Sequence, residues 1–77
     1  MGARDFAKMG DIRGKTLDEI KKKVGSPTSI SHLGGGTLCQ WMKAGVLGGY
    51  HYAIKFDADG AAVGFTHQHV SGLFRMK

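Results

Sequence analysis

One cysteine, one proline and one tryptophan occur in the 77 residues, and no apolar run approaches the length needed to cross a bilayer. Each scarcity excludes something. Cys39 stands alone, so an internal disulfide is impossible. A core of this size rarely contributes more than ~3–5 kcal/mol, so close packing, a metal or a second copy must make up the rest. A lone thiol suits a reducing compartment, and the chain as it stands reads as cytoplasmic or cytoplasm-facing. It would be periplasmic or outer-membrane-anchored if a signal or anchor segment had been removed. The opening Met1-Gly2-Ala3-Arg4-Asp5 lacks the apolar segment of a signal peptide. Phe6 stands where a myristoylation site needs Ser or Thr.

Acids are scarce too, 6 against 11 Lys and Arg, for a formal charge of +5. Two of the acids begin a helix and two make a turn, which leaves no paired carboxylates for acid–base chemistry. Much of the positive charge falls in Lys21-Lys22-Lys23, with Lys8, Arg13, Lys15, Arg75 and Lys77 scattered elsewhere. Cations in that pattern read as solvated positions. A nucleic-acid surface would interleave them with aromatics along one face, so the basic helix face is the lesser alternative.

Among the features present, the helix from Thr16 to Val24 is the plainest. Thr16-Leu17-Asp18-Glu19 has the capping-box form, with a Thr hydroxyl and a Glu carboxylate three residues apart. Asp18 and Glu19 favour the positive end of the helix dipole. Leu17, Ile20 and Val24 fall at i, i+3 and i+7 and form one apolar stripe. Gly25 suits the C-terminal cap and Pro27 forbids resumption. A shorter helix is expected near residues 3–10, where Phe6 and Met9 are three apart and Gly10 ends the segment.

From Thr28 the period becomes two. Strands are expected at 29–33, 37–43, 50–56 and 61–69, separated by Gly34-Gly35-Gly36, by the flexible connection 45–49 and by Asp57-Ala58-Asp59-Gly60. The fold class that follows is α+β: two short N-terminal helices packed on one face of a three- to four-stranded antiparallel meander. Residues 1–77 read as a single domain with its core at 6–69 and tails at 1–5 and 70–77.

A four-residue loop at 57–60 would pair Phe56 with Ala61, Ile54 with Val63, Tyr52 with Phe65 and Tyr50 with His67. Every bulky apolar residue of both strands then shares one side, and a one-residue slip would split that set. The outward side reads His51, Ala53 and Lys55 against Ala62, Gly64 and Thr66. Strand 37–43 divides its apolar residues, Leu38 and Met42 on one face, Cys39 and Trp41 on the other. A two-layer domain needs one apolar face. The second is expected to meet a protein partner or another copy, with Trp41, Cys39, His51, Ala53 and Lys55 as the contact residues. Alternatively Trp41 or the N-terminal segment closes that face.

His67 and His69 point the same way on a strand and are the candidates for holding a metal, whereas His51 is expected to face the opposite side. Hydrogen-bonded or exposed strand histidines are the plainer reading, so no metal and no cofactor are assigned. Asp57 to Gly60 matches only the first positions of a calcium loop and is read as a hairpin turn. Gly34-Gly35-Gly36 lacks the Gly-Lys-Ser/Thr run of a phosphate loop. Cys39 sits within a strand beside Trp41, and Ser26, Ser29, Ser31 and Ser71 have no catalytic motif around them, so no enzyme is expected.

Lys15-Thr16-Leu17-Asp18-Glu19-Ile20, followed by Val24-Gly25-Ser26-Pro27-Thr28, resembles the signature of the SmpA/OmlA small outer-membrane lipoprotein domains. Phe56-Asp57-Ala58-Asp59-Gly60 with Val63 resembles their final hairpin, and Trp41 stands where that family often has a strand aromatic. The resemblance covers roughly residues 6 to 67. It implies the architecture of the family and of the related β-lactamase-inhibitor-protein-like domains, two short helices on a small antiparallel sheet. It also implies a non-enzymatic role in binding other proteins. The family's lipidated cysteine near the start has no counterpart, because Cys39 is too far inside.

Overall fold

The computed structural model describes residues 3–44 and 48–72. Of the expected connection at 45–49, residues 45–47 lie outside the described residues, as do Arg75 and Lys77, whereas Gly48 and Gly49 belong to the third strand. Six elements follow one another: helices α1 (Ala3–Met9) and α2 (Leu17–Val24), then strands β1 (Ser29–Leu33), β2 (Gly36–Lys43), β3 (Gly48–Phe56) and β4 (Ala62–Gly72). The strands form one antiparallel sheet in the order β1-β2-β3-β4. Two helices on a four-stranded meander is the expected α+β class. The tails are shorter than expected, since α1 begins at Ala3 and β4 runs through Gly72.

The local chemistry of α2 is as its residues require. The Glu19 amide donates to the Thr16 hydroxyl oxygen at 3.2 Å, and the Thr16 amide donates to the Glu19 carboxylate at 2.9 Å. The two bonds satisfy two amides that the first helical turn leaves without partners, and the bond from the Thr16 amide, followed by one from the Thr16 hydroxyl, holds the Glu19 carboxyl below its usual range. The helix ends at Gly25 with φ 82° and ψ −176°, a backbone region open essentially to glycine alone. Ile20 and Val24 then face the sheet and are buried.

The core lies between the helices and one face of the sheet. Phe6, Ile12, Ile20 and Val24 pack on Cys39, Trp41, Tyr52, Ile54, Phe56 and Ala62. Phe6 of α1 stacks on Tyr52, with ring centroids 4.1 Å apart and planes within 8°, and meets Trp41 edge-on at 5.6 Å. Such aromatic pairs contribute about 0.5–1.5 kcal/mol beyond the area they bury. The segment joining the helices runs beside the start of β4. The Gly14 amide donates to the Ala62 carbonyl at 2.9 Å, and the Ala62 amide donates to the Lys15 carbonyl at 2.8 Å.

The turn after β3 differs from the expected four-residue loop. The Asp57 amide donates to the Ala61 carbonyl at 2.9 Å, and the Gly60 amide to the Asp57 carbonyl at 3.0 Å. With Gly60 at φ 88°, this is a three-residue loop, a tight turn completed by a left-handed glycine. The Asp57 carboxylate accepts from the amides of Asp59 and Ala61 at 2.9 and 3.0 Å, so it is consumed by the turn.

Phe56 therefore pairs with Ala62, and two further irregularities change the rest of the register. Lys55 pairs with Gly64 and Ile54 with Phe65, leaving Val63 as an extra residue. Ala53 pairs with His67 and Tyr52 with Gln68, leaving Thr66 as another. Each is a β-bulge, two residues of one strand against one of its partner. Three expected pairings are thus corrected: Ile54 with Val63, Tyr52 with Phe65, and Tyr50 with His67. Val63 is 51% exposed instead of buried, and Ala62, expected outside, joins the core. The first bulge keeps Phe65 on the core side, 5.9 Å from Tyr52. The second turns the polar His67 and His69 away from it.

Candidate functional site: the open face of the sheet

Alternation from these pairings defines the face that the helices do not cover. Leu38, Gln40 and Met42 of β2 lie beside Lys55, Ala53 and His51 of β3, and Gly64, His67 and His69 of β4 lie beyond them. Met42 is 46% exposed, and Lys55, His67 and His69 are exposed. Ala53 is buried in spite of its outward position. Its small side chain sits between cross-strand neighbours Gln40 and His67, with His51 and Lys55 along its own strand.

The five expected contact residues separate into two groups. His51, Ala53 and Lys55 share the open face. Cys39 and Trp41 do not: they point toward the helices, with exposures of 0% and 3%. The alternative closure holds for them, since Phe6 of the N-terminal helix packs on Trp41. Burial also pushes the Cys39 thiol up, away from the ionised form that a nucleophile uses.

The histidines are rearranged as well. In the expected register, set by a four-residue loop, His67 lies opposite Tyr50 on the core side; with the observed Phe56–Ala62 pair, the bulge at Val63 alone would put it opposite Tyr52, also on the core side. The bulge at Thr66 instead brings them together, ring centroids 4.4 Å apart. His69 is the direct cross-strand partner of His51, and both border a recess of about 220 Å³ that Gly48 and Gly49 help to line. The Nε2 atom of His51 lies 2.8 Å from Oε1 of Gln40. A carbonyl oxygen only accepts, so Nε2 is the donor in this contact. Sequence reasoning missed both the His51–His67 contact and Gln40. The available signal was Gly64, an isolated glycine within a strand, which is a common mark of a bulge. Its φ is 154°. Among the described residues no three His, Cys, Asp or Glu side chains are gathered into a ready-made metal cage.

The lysines of the helices and their link occupy the other side of the molecule. Lys8, Lys15, Lys22 and Lys23 border a groove of about 610 Å³ between α1 and α2, with Asp5 and Glu19 among them. The two acids interrupt the cationic lining. Lys21, Lys22 and Lys23 are exposed, as a solvated helix face should be.

No protein family, curated protein or solved structure matches the chain. Among the described residues no helix is long and apolar enough to cross a membrane.

Proposed function

We propose that the chain is a non-enzymatic protein-interaction module that binds through the open face of the sheet, with a second copy of itself as the occupant. The observation that carries this reading is the separation of charge. Among the described residues, Lys55 is the one Lys, Arg, Asp or Glu on that face. Lys8, Arg13, Lys15 and the three consecutive lysines belong to the helices and their link. Two copies packed sheet to sheet would keep their cationic sides apart, and like-charge repulsion between chains of net +5 would be small at the contact. Met42 and Leu38 supply apolar area, and Ala53 lets an opposing surface approach closely.

The resemblance to SmpA/OmlA domains supports the same reading, because known members of that family bind other proteins. The lone thiol is compatible with a reducing compartment, which is where we propose that the module works. Light scattering across a concentration series tests self-association. The expected result is a mass that rises toward that of a dimer, and that falls back when Met42→Glu adds charge to the face. A constant monomer mass up to about 1 mM, where an association of roughly 4 kcal/mol would be half complete, overturns the second copy as occupant.

A further inference from the structure

We infer that the open face holds a binding site for a divalent transition ion of the zinc, nickel and copper group, built from His51 and His67 with His69 as a third ligand. The inference does not depend on whether a second copy covers the face.

Imidazole nitrogen suits these ions better than it suits magnesium or calcium. A ligand nitrogen sits about 2.0–2.1 Å from such an ion, which puts the centre of the ring about 3.2 Å from it. Two rings bound at a right angle then have centres about 4.5 Å apart, and two bound tetrahedrally about 5 Å apart. The 4.4 Å between His51 and His67 matches the first value and lies a small side-chain rotation from the second. His69 is exposed and lies directly across the strand from His51. That place beside the pair is why His69 is the third ligand of the inferred site.

Gln40 gives the site a supporting contact. By accepting from Nε2 of His51 it fixes the tautomer that leaves Nδ1 free to bind an ion. Gln40 and His51 come from neighbouring strands, so the sheet itself orients the ring. Gln40 acts as a positioning residue, because it reaches the ion only through His51. His67 and His51 share a face because the bulge at Thr66 offsets the one at Val63.

Zinc chloride titrated into the full chain, followed by the imidazole signals in NMR, tests the site. His51 and His67 should shift together and saturate at one ion per chain. His32, exposed at the end of β1 near the opposite edge of the sheet, should stay unchanged. His51→Ala and His67→Ala should each weaken binding tenfold or more. Gln40→Ala should weaken it by about tenfold, the scale typical of second-shell partners, and Gln40→Glu, which keeps the acceptor, should restore it. Thermal unfolding of each variant without zinc controls for loss of the fold. Equal, unsaturating shifts of all four histidines would overturn the site, as would unchanged affinity in folded His51→Ala protein. Failure of Gln40→Glu to restore what Gln40→Ala lost would overturn the positioning role.

Discussion

The indole nitrogen of Trp41 donates to the carbonyl of Gly25 at 2.9 Å, tying the second strand to the exit of the second helix. The two residues are distant in sequence, and their bond closes the helix layer onto the sheet. Thr28 makes a parallel attachment: its hydroxyl oxygen accepts from the Met42 amide at 3.0 Å, while its own amide donates to the Gln40 carbonyl at 2.7 Å. Together these bonds explain why β1 starts where it does. They also explain why Trp41 is a structural residue and not a contact residue.

Trp41→Phe keeps the apolar ring but leaves the Gly25 carbonyl without its donor. Gly25 is half-buried, so part of the loss is recovered by water. The expected cost is about 1–2 kcal/mol from the hydrogen bond, with a further contribution from the unfilled volume. Urea unfolding should report a lower midpoint at an unchanged slope, since the area exposed on unfolding hardly changes.

Val63 and Phe65 give a direct check of the bulged register. Val63→Lys should change stability by no more than about 0.5 kcal/mol, because the side chain already faces solvent. Phe65→Ala should cost about 2 kcal/mol, less than the ~3–5 of a fully buried phenylalanine, because Phe65 is half-buried. In a regular hairpin with Val63 opposite Ile54, both substitutions would be severe. A large loss in Val63→Lys would therefore refute the register.

Stability should fall in acid along a course set by two carboxylates. The Arg13 side chain, and then its amide, hold the Asp11 carboxyl down to about 2. The Thr16 amide, and then its hydroxyl, hold the Glu19 carboxyl below its usual value. Both are depressed in the folded chain, so their contribution is complete above the unfolded range of about 4. It is lost as pH falls through the folded values, between about 4 and about 2 for Asp11. Carboxyl titration by NMR should place Asp11 near 2, and Arg13→Gln should return it toward about 3.9.

The helices, the meander and the core side of β3 were legible in the sequence. Helix α2 carries its start and stop in side chains whose chemistry is local: the Thr16–Glu19 pair, then Gly25 and Pro27. The faces of β2 and β3 follow from strict alternation. The face of β4 beyond Ala62 was not legible, because a bulge costs one ladder position and needs no particular residue. Val63 looks like a core residue, but the three-residue turn pairs Phe56 with Ala62 and so turns Val63 to the other face. Loop length concealed the histidine cluster, since the four-residue loop expected at 57–60 puts His51 and His67 on opposite sides. Trp41 was misassigned for a different reason: which side of β2 the helices cover depends on a contact with Phe6, far away in sequence.

The two bulges carry a last consequence for how molecules of this kind meet. β4 is an outer strand of 11 residues, and a flat outer strand of that length invites a second chain to add to the sheet. Kinks at Val63 and Thr66 break the regular row of amides and carbonyls that such an addition would need. The other outer strand, β1, offers only 5 residues. Both margins are thus poor templates for runaway stacking into fibres.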